Sequence, residues 1–420
     1  GVAMYYRGAA DAHPTPLCPI VIRPEHLVKE EIPDRFEESR LRRGVARRFL
    51  GRTAHAVHVG SRTGVRGSIL TGLFGMLASI PLILRVFFPR HAARLRSGTG
   101  ALFRPPSATR LRLEATGLLV KGVRRGYTVE EMTGIVRRVL EEIGLTRRFT
   151  RLVLVIGHGS SSLNNPHESA HDCGACGGGR GGPNARAFAM MANDPRVRER
   201  LPALAEWTIP PETTFVGCWH NTCNDAMEYF DLDLLPESRV DDLRTARNAL
   251  DRARALNAHE RCRRFDNAPL DLTPEEALEH VEERAEDLAQ VRPEYGHAGN
   301  AVIVIGRRDR TRALYMDRRA FLSSYDPATD GDGSILVRIL QAVVPVCAGI
   351  NLEYYFSYVD PTGYGSGTKL PHNITSLLGV MDGHAGDLRT GLPWQMVDIH
   401  EPVRLLMVIE APPERVLDAL

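Results

Sequence analysis

The stretch Leu152-Val-Leu-Val-Ile-Gly-His158 decides the fold class of this chain. Five consecutive aliphatic residues without a charge are typical of a strand that is buried on both faces, and such strands form parallel sheets. The strand ends in Gly157 and His158. Because ligands of open α/β sheets bind at the carboxyl ends of the strands, the sequence predicts that His158 is well placed for chemistry.

Helical and strand patterns alternate around this stretch. The segment 128–145 predicts a helix, since Thr128 and Glu131 have the spacing of a capping box and Gly144 is a stop signal. Three further regions are predicted downstream: a weaker strand at Phe215–Cys218, a charged helical region over 239–290 and a last strand at Val403–Ile409. The alternation predicts an α/β fold, a parallel or mixed sheet flanked by helices with helical insertions.

One segment echoes the opening stretch. Asn300–Arg307 repeats the pattern of 152–158, with Arg307 standing where His158 stood. This similarity is compatible with a chain of two related α/β halves, of which only the first keeps a ligand residue. The predicted domain ranges are 1–127, an amino-side region; 128–295, an α/β region with a charged helical insertion; and 296–420, a second α/β region.

The amino-side region is predicted to hold less regular structure. Residues 1–35 are proline-rich, with one short strand predicted within Leu17–Pro24, and 34–58 predicts a charged, exposed helix. The sixteen residues Ile69–Leu84 carry no charge, but a membrane-spanning helix needs about 20 residues. A buried or interfacial helix is therefore favoured over a span, and we expect the purified chain to stay soluble without detergent.

Composition excludes several classes of protein. With 43% hydrophobic and 25% charged residues, the 420-residue chain is typical of globular proteins. A net charge of +2 argues against dedicated nucleic-acid binding. The seven cysteines form no short-spaced disulfide framework, so we interpret them as cytosolic thiols, some of them metal ligands.

The loop after His158 offers candidate metal ligands. Cys173 follows His158 by fifteen residues, and glycines on both sides would let the two side chains meet one Zn²⁺ ion. Two ligands are too few for a zinc site, so the alternative that His158 and Cys173 serve unrelated purposes is equally favoured. A structural four-thiolate zinc site is a competitor, in which Cys173 and Cys176 pair with Cys218 and Cys223.

Two other chemistries are disfavoured for this loop. A redox role for Cys173-Gly-Ala-Cys176 would need a helix to begin there, but three glycines follow. The run Gly177–Gly182 matches no phosphate-binding fingerprint. Polar stretches at 219–225, 365–373 and 381–394 are each predicted to be structured loops.

Several segments together resemble one family, the probable inorganic carbon transporter subunit DabA. The resembling segments are Gly157–Ser160, Asn164–Ser169, Asp172–Gly178, His220–Asp225, Gly367–Asn373, Asp387–Gln395 and His400–Leu405. The resemblance implies a zinc protein related to β-carbonic anhydrases. It would lie peripherally on the cytoplasmic side of the cell inner membrane, with the antiporter-like membrane subunit DabB as its partner.

The resemblance also implies a ligand set of Cys, Asp, His and Cys, in that order. The last two carry over onto His158 and Cys173, and Cys176 has no assigned role. The first two belong to a Cys-x-Asp-x-Arg segment that this chain lacks; Cys223-Asn-Asp225 comes closest but continues with Ala226 and Met227. We therefore expect the chain, which opens without an initiator methionine, to be the carboxyl-terminal part of a longer protein.

The function that the resemblance implies is energy-coupled uptake of inorganic carbon. CO₂ would be hydrated to bicarbonate at the zinc site, and coupling to cation flow through the membrane subunit would make hydration effectively one-way. Whether this chain is itself an enzyme is left open, because half of the expected ligands are missing from it. The alternative is a non-catalytic scaffold, with structural zinc closed to water, that docks the membrane subunit.

Overall fold

The computed structural model shows an α/β protein with three sheets flanked by helices. It describes residues 2–9, 13–19, 22–101, 103–104, 109–117, 119–120, 122–161, 179–287, 290, 293–294, 296, 299–367 and 391–419. Parallel and antiparallel strand pairs both occur within these ranges. The predicted class, parallel or mixed sheets flanked by helices, is confirmed.

The sheet that carries His158 is small. Its strands are β7, Leu152–Gly159; β8, Thr214–Asn221; and β9, Ala226–Tyr229. β7 and β8 are parallel and in register along their whole length, and β9 returns antiparallel to β8. The apolar stretch is thus a parallel strand, as predicted. It is not buried on both faces, because Ile156 is 48% exposed.

The amino-side sheet has six strands where the sequence predicted one. They are β1, Met4–Arg7; β2, Thr15–Leu17; β3, His26–Glu31; β4, Arg110–Arg112; β5, Leu119–Val120; and β6, Val123–Arg125. β3 lies between β1 and β6, parallel to both, and also pairs antiparallel with β4. The prediction was wrong here because strands of two to six residues carry too little apolar alternation to be recognised.

A third sheet lies toward the carboxyl end. Its three strands are all parallel: β10, Val302–Gly306, is flanked by β11, Ala320–Ser324, and β12, Leu406–Ile409. The echo segment is therefore a strand with parallel neighbours, as β7 is with β8. A common origin of the two regions stays a prediction.

Helices occupy most of the remaining described chain. In order they are α1, Glu37–Gly60; α2, Gly64–Phe87; α3, Pro89–Ala101; α4, Val129–Glu142; α5, Gly182–Asn193; α6, Pro195–Leu204; α7, Val240–Cys262; α8, Pro274–Glu286; α9, Ser334–Val343; α10, Ile350–Val359; α11, Pro361–Tyr364; α12, Trp394–Val397; and α13, Pro413–Ala419. The capping box of Thr128 and Glu131 is present at α4, and Gly144 adopts a φ of 71° just beyond its end.

The apolar run in the amino-side region is helical, but it is not buried. It lies in α2, whose side chains project largely into solvent; Leu73 and Met76, for example, are 66% and 80% exposed. Within the described ranges α2 is the one helix whose length and composition would suffice to cross a membrane. The expectation of a buried helix is therefore wrong, and its interfacial alternative stays a prediction.

The main hydrophobic core joins the first two sheets. Val28 of β3 and Val136 of α4 belong to the same buried cluster as Met191 of α5 and Phe215 of β8. A separate cluster packs α9 beneath the third sheet, around Ile303 and Ile305. The three sheets fall within 1–127, 128–295 and 296–420, but these ranges as independent domains stay a prediction.

Candidate functional site

The predicted ligand His158 lies at the carboxyl end of β7, beside a second histidine. In the parallel register His158 is opposite His220, and Gly159 is opposite Asn221. Adjacent strands are about 4.8 Å apart, and residues opposite each other in a parallel pair project from the same face. His158 is exposed and His220 half-buried. The sheet thus brings two imidazoles together at the edge where α/β proteins bind ligands.

His220 is held by a carboxylate from the turn that follows its strand. Nε2 of His220 donates a hydrogen bond to Oδ1 of Asp225, at 2.8 Å. Asp225 lies between β8 and β9 with a φ of 56°, a left-handed conformation that Asp adopts more readily than most residues. A histidine whose ring is fixed by a carboxylate is a recurring arrangement next to metal ions and in catalytic sites.

The same carboxylate is held by a buried arginine. Nη2 of Arg261 donates to Oδ2 of Asp225 at 2.7 Å, and Asn257 donates to the same oxygen. Arg261 comes from the last turn of α7 and is 1% exposed; its Nη1 donates to the carbonyl oxygen of Pro293 at 2.8 Å. Helix α7 thereby fixes the turn that orients His220.

This surrounding network changes the acidity of Asp225. Burial by itself would raise the pKa of the carboxyl group, but the hydrogen bond from His220, the charge of Arg261 and the hydrogen bond from Asn257 outweigh burial. Together they lower the pKa of Asp225 to about 2. Asp225 is therefore a carboxylate at neutral pH, and it accepts hydrogen bonds from all three neighbours.

The chain is described again from residue 179, close to the His158 strand end. The backbone NH of Gly181 donates to the carbonyl oxygen of His158 at 2.8 Å, and α5 begins at the next residue. A Cβ at Gly157 would lie 2.1 Å from the carbonyl oxygen of Gly181, so only glycine permits this approach. Cys173 and Cys176 lie outside the described residues, between two chain segments that both adjoin His158.

Buried polar groups surround Ser160 and Ser161, the two residues that follow β7. The Ser160 hydroxyl donates to Glu294, and both residues are buried. The backbone NH of Ser161 donates to Oδ1 of Asn221 at 3.1 Å, and its hydroxyl lies 3.4 Å from the sulfur of Cys223. These contacts tie the end of β7 to the end of β8 and to the segment that follows α8.

The thiols of Cys218 and Cys223 are both buried. Burial raises the pKa of each thiol to about 12. Both thiols are therefore protonated at neutral pH in the absence of a metal, and each would have to release its proton on binding zinc. The four-thiolate site proposed as a competitor also needs Cys173 and Cys176, which lie outside the described part of the chain, so it stays a hypothesis.

The donors present suit part of a zinc site. Among the residues that the structure describes, no three His, Cys, Asp or Glu side chains are grouped so that they could hold a metal ion. An exposed imidazole at a strand end suits zinc, since neutral histidine nitrogen is one of its preferred ligands. His158 therefore fits the role of one ligand, and the described residues by themselves do not complete the set.

The corresponding end of the third sheet is occupied differently. Arg307 follows β10, and its guanidinium donates to Oε1 of Glu410 at 3.0 Å through Nε. Arg310 donates to the same carboxylate at 2.9 Å. This strand end carries ion pairs, and the interpretation that only the first region keeps a ligand stays a prediction.

A cavity of about 430 Å³ lies at the other half of β8, against α5 and α6. Arg186 lines it, but this side chain is 4% exposed and bonded to Asp231 and to Glu30, at 2.6 and 2.9 Å. Because the charges are already compensated, we interpret the cavity as structural. It lies away from the strand end that carries His158.

Part of the arrangement around His158 and His220 could be predicted from the sequence. The stretch 219–225 stood out as polar, but it was predicted to be a loop, whereas Trp219–Asn221 ends β8. Arg261, Asn257 and Glu294 were missed entirely. Each is an isolated polar residue in or after a charged helical region, and only the tertiary fold brings it to the strand ends.

Comparison with known proteins is unambiguous at the level of family. The family model described as "Probable inorganic carbon transporter subunit DabA" matches residues 1–420. Similar proteins include a "Probable inorganic carbon transporter subunit DabA 2" of Rhodopirellula baltica, 56% identical over 416 residues, and a "Probable inorganic carbon transporter subunit DabA 1" of Sorangium cellulosum, 52% identical over 412 residues. A third relative, from a Parafrankia species, is 49% identical over 442 residues.

The matches cover the chain but not the relatives. They span 98%, 98% and 99% of this chain, and 38%, 40% and 40% of the relatives, so the chain spans about two-fifths of the length of these proteins. No solved structure gives a significant match. The match of the family model over every residue leads to one conclusion: this chain belongs to the DabA family.

Proposed function

We propose that this chain is part of a subunit that takes up inorganic carbon, to which it contributes His158 and Cys173 as zinc ligands. The single observation that carries the proposal is the placement of His158, exposed at the end of a parallel strand and opposite a histidine that is fixed by Asp225 and Arg261. The names of the related proteins supply the substrate class, which is inorganic carbon.

Zinc bound there would supply a Lewis acid that makes water acidic near neutral pH, which is the chemistry of CO₂ hydration to bicarbonate. The chain's own residues supply position. The bond from Gly181 to the carbonyl of His158 fixes the strand end, and the Asp225 carboxylate fixes the neighbouring His220 ring. The buried Arg261 holds that carboxylate ionised.

The remaining ligands and the partner belong to the proposal. Two further ligands, a Cys and an Asp, would come from another segment of the longer protein. The subunit would act peripherally at the cytoplasmic side of the inner membrane, together with the membrane subunit DabB. A transporter subunit needs such a partner, and the relatives are named as subunits. Coupling to cation flow would retain the carbon inside the cell as bicarbonate.

Growth at low CO₂ tests this function. In a strain that lacks carbonic anhydrase, the intact protein with its membrane subunit should restore growth in air. His158→Ala and Cys173→Ser should abolish the rescue, because each removes a zinc ligand. Two matched controls should retain it: His13→Ala, an exposed histidine far along the chain, and Cys176→Ser, three residues from the proposed ligand.

Two outcomes would change the assignment. If His158→Ala restored growth as well as wild type, the catalytic site would have to lie elsewhere. If both variants lost zinc but still supported growth, zinc would be structural, and the non-catalytic scaffold would be the correct description.

A further inference from the structure

One segment of the chain has an extreme charge distribution. Between residues 39 and 113 there are fifteen arginines and no lysine, aspartate or glutamate. The whole chain carries 53 basic and 51 acidic residues, so the part outside this segment is negative by thirteen charges. A segment so basic in a chain so nearly neutral favours an anionic partner.

The same segment carries the exposed apolar helix. Arg66 and Arg85 bound eighteen uncharged residues of α2, and none of its most apolar window is buried. Leu77 and Phe87, 57% and 71% exposed, are typical of its side chains. Contiguous apolar surface on this scale marks an interaction site.

The chain path excludes a single membrane crossing by α2. The helices α1 to α3 leave the amino-side sheet after β3 and return to it at β4, which pairs directly with β3. A segment that leaves and rejoins one sheet crosses a bilayer an even number of times. Its other long helix, α1, carries six arginines and cannot be the second span. Helix α2 must therefore lie along a surface.

Three of the six arginines of α1 are available for such a surface; the other three already bind a carboxylate or a backbone carbonyl. Arg42, Arg48 and Arg52 are exposed, and within the described ranges no carboxylate pairs with them. By contrast, α3 is fixed to the body of the protein: Arg90 pairs with Glu279 at 3.1 Å, and Arg96 with Glu286 at 2.7 Å. The hairpin of α1 and α2 is thus anchored through α3 and presents its basic and apolar residues outward.

We propose that residues 37–88, the α1–α2 hairpin, bind directly to an anionic lipid bilayer. The apolar side chains of α2 enter the interface, and the arginines of α1 meet the lipid phosphates. This goes beyond the proposed function, in which only a membrane subunit holds the protein at the membrane. It does not depend on zinc, so either proposal can fail alone.

Vesicle flotation tests the proposal. Purified protein is mixed with protein-free vesicles of phosphatidylcholine, with or without about 30% phosphatidylglycerol. We expect it to float with the anionic vesicles and to bind neutral vesicles at least about tenfold more weakly. Binding should also fall as salt is raised, since screening weakens the arginine–phosphate attraction.

Two sets of variants separate the apolar from the basic contribution. Leu73→Glu with Leu77→Glu should lower vesicle affinity at least about tenfold, whereas Leu270→Glu with Leu417→Glu, residues elsewhere that are even more exposed, should leave it unchanged. Arg42, Arg48 and Arg52 changed together to Gln should lower it on the order of 100-fold, at about fivefold per arginine. The matched exposed set is Arg252, Arg263 and Arg404.

The proposal is overturned if the protein ignores every protein-free vesicle, or if both control sets weaken binding as much as the hairpin variants. Binding only to membranes that contain the membrane subunit would also overturn it, since α2 would then dock on protein. Zinc content, measured in parallel, should be the same in all hairpin variants.

Discussion

Arg261 shows how one buried residue organises the strand ends. Its guanidinium is almost completely excluded from solvent, and Asp225 is the carboxylate that compensates its charge. A buried ion pair of this kind contributes little net stability relative to apolar residues, but breaking it leaves a buried charge uncompensated. Its value here is positional, because Asp225 also holds His220.

Replacing Asp225 by Asn tests this pair. The amide keeps the size of the side chain but not its charge, so Arg261 is left uncompensated, and we expect the free energy of unfolding to fall by about 3 kcal/mol. Urea unfolding measures the loss. Asp241→Asn, an exposed residue near the start of α7, should change stability by less than about 0.5 kcal/mol. Equal losses in both variants would contradict the structural role.

The loss of folding stability at acid pH provides a second measurement on Asp225. Its pKa is lowered to about 2 in the folded protein, from about 3.9 in an unfolded chain. The carboxylate therefore contributes stability that is complete above about pH 4 and is lost as the pH falls through about 2. The contribution, about 2 to 3 kcal/mol, should be missing from the Asn variant, whose stability should depend less on pH over this range.

At the scale of elements, sequence predicted what local patterns encode. Helix α4 was predicted with its capping box, and β7 was found because five aliphatic residues run together. The exposure of Ile156 was not predicted, since the sequence of an apolar strand does not show whether other secondary-structure elements cover both of its faces. For the same reason the sequence left open whether the apolar run of α2 is buried or interfacial, and the structure excludes burial. Burial is decided by the partners of an element, and those are set by the tertiary fold.

The approach of α5 to β7 can be tested with one methyl group. Gly157→Ala would place Cβ against the carbonyl oxygen of Gly181, a backbone atom that cannot move without displacing α5. We expect a loss of at least about 3 kcal/mol in the free energy of unfolding, measured by urea.

A glycine in open space serves as the matched control. Gly134 lies inside α4 with no atom near the position of a Cβ. Gly134→Ala should therefore stabilise the protein by about 0.5 to 1 kcal/mol through helix propensity. If Gly157→Ala were equally well tolerated, the close contact between β7 and α5 would not exist as described.

Across the whole molecule, only part of the candidate site could be predicted from the sequence. His158 was placed correctly at a strand end, because strand ends follow from the apolar pattern. The neighbours that give it an environment, His220, Asp225 and Arg261, come from β8, a turn and α7. Their assembly depends on contacts between residues up to about a hundred positions apart, which no local pattern encodes.

The shared core bears on how the regions cooperate. Residues of β3, α4 and β8 pack in one cluster, so the amino-side sheet buttresses the sheet that carries His158. The α1–α2 hairpin follows β3 of that same amino-side sheet. The proposed membrane contact and the proposed zinc site would therefore be joined through one body of packed structure.

We propose that this chain holds half of the ligands of a split zinc site, and the zinc content of the protein distinguishes a split site from a complete one. Inductively coupled plasma mass spectrometry on the 420-residue chain and on the longer protein should find little zinc in the first and about one ion per subunit in the second. His158→Ala or Cys173→Ser in the longer protein should remove that ion, and His13→Ala should not. Tight stoichiometric zinc in the short chain, or its retention after His158→Ala, would contradict the account.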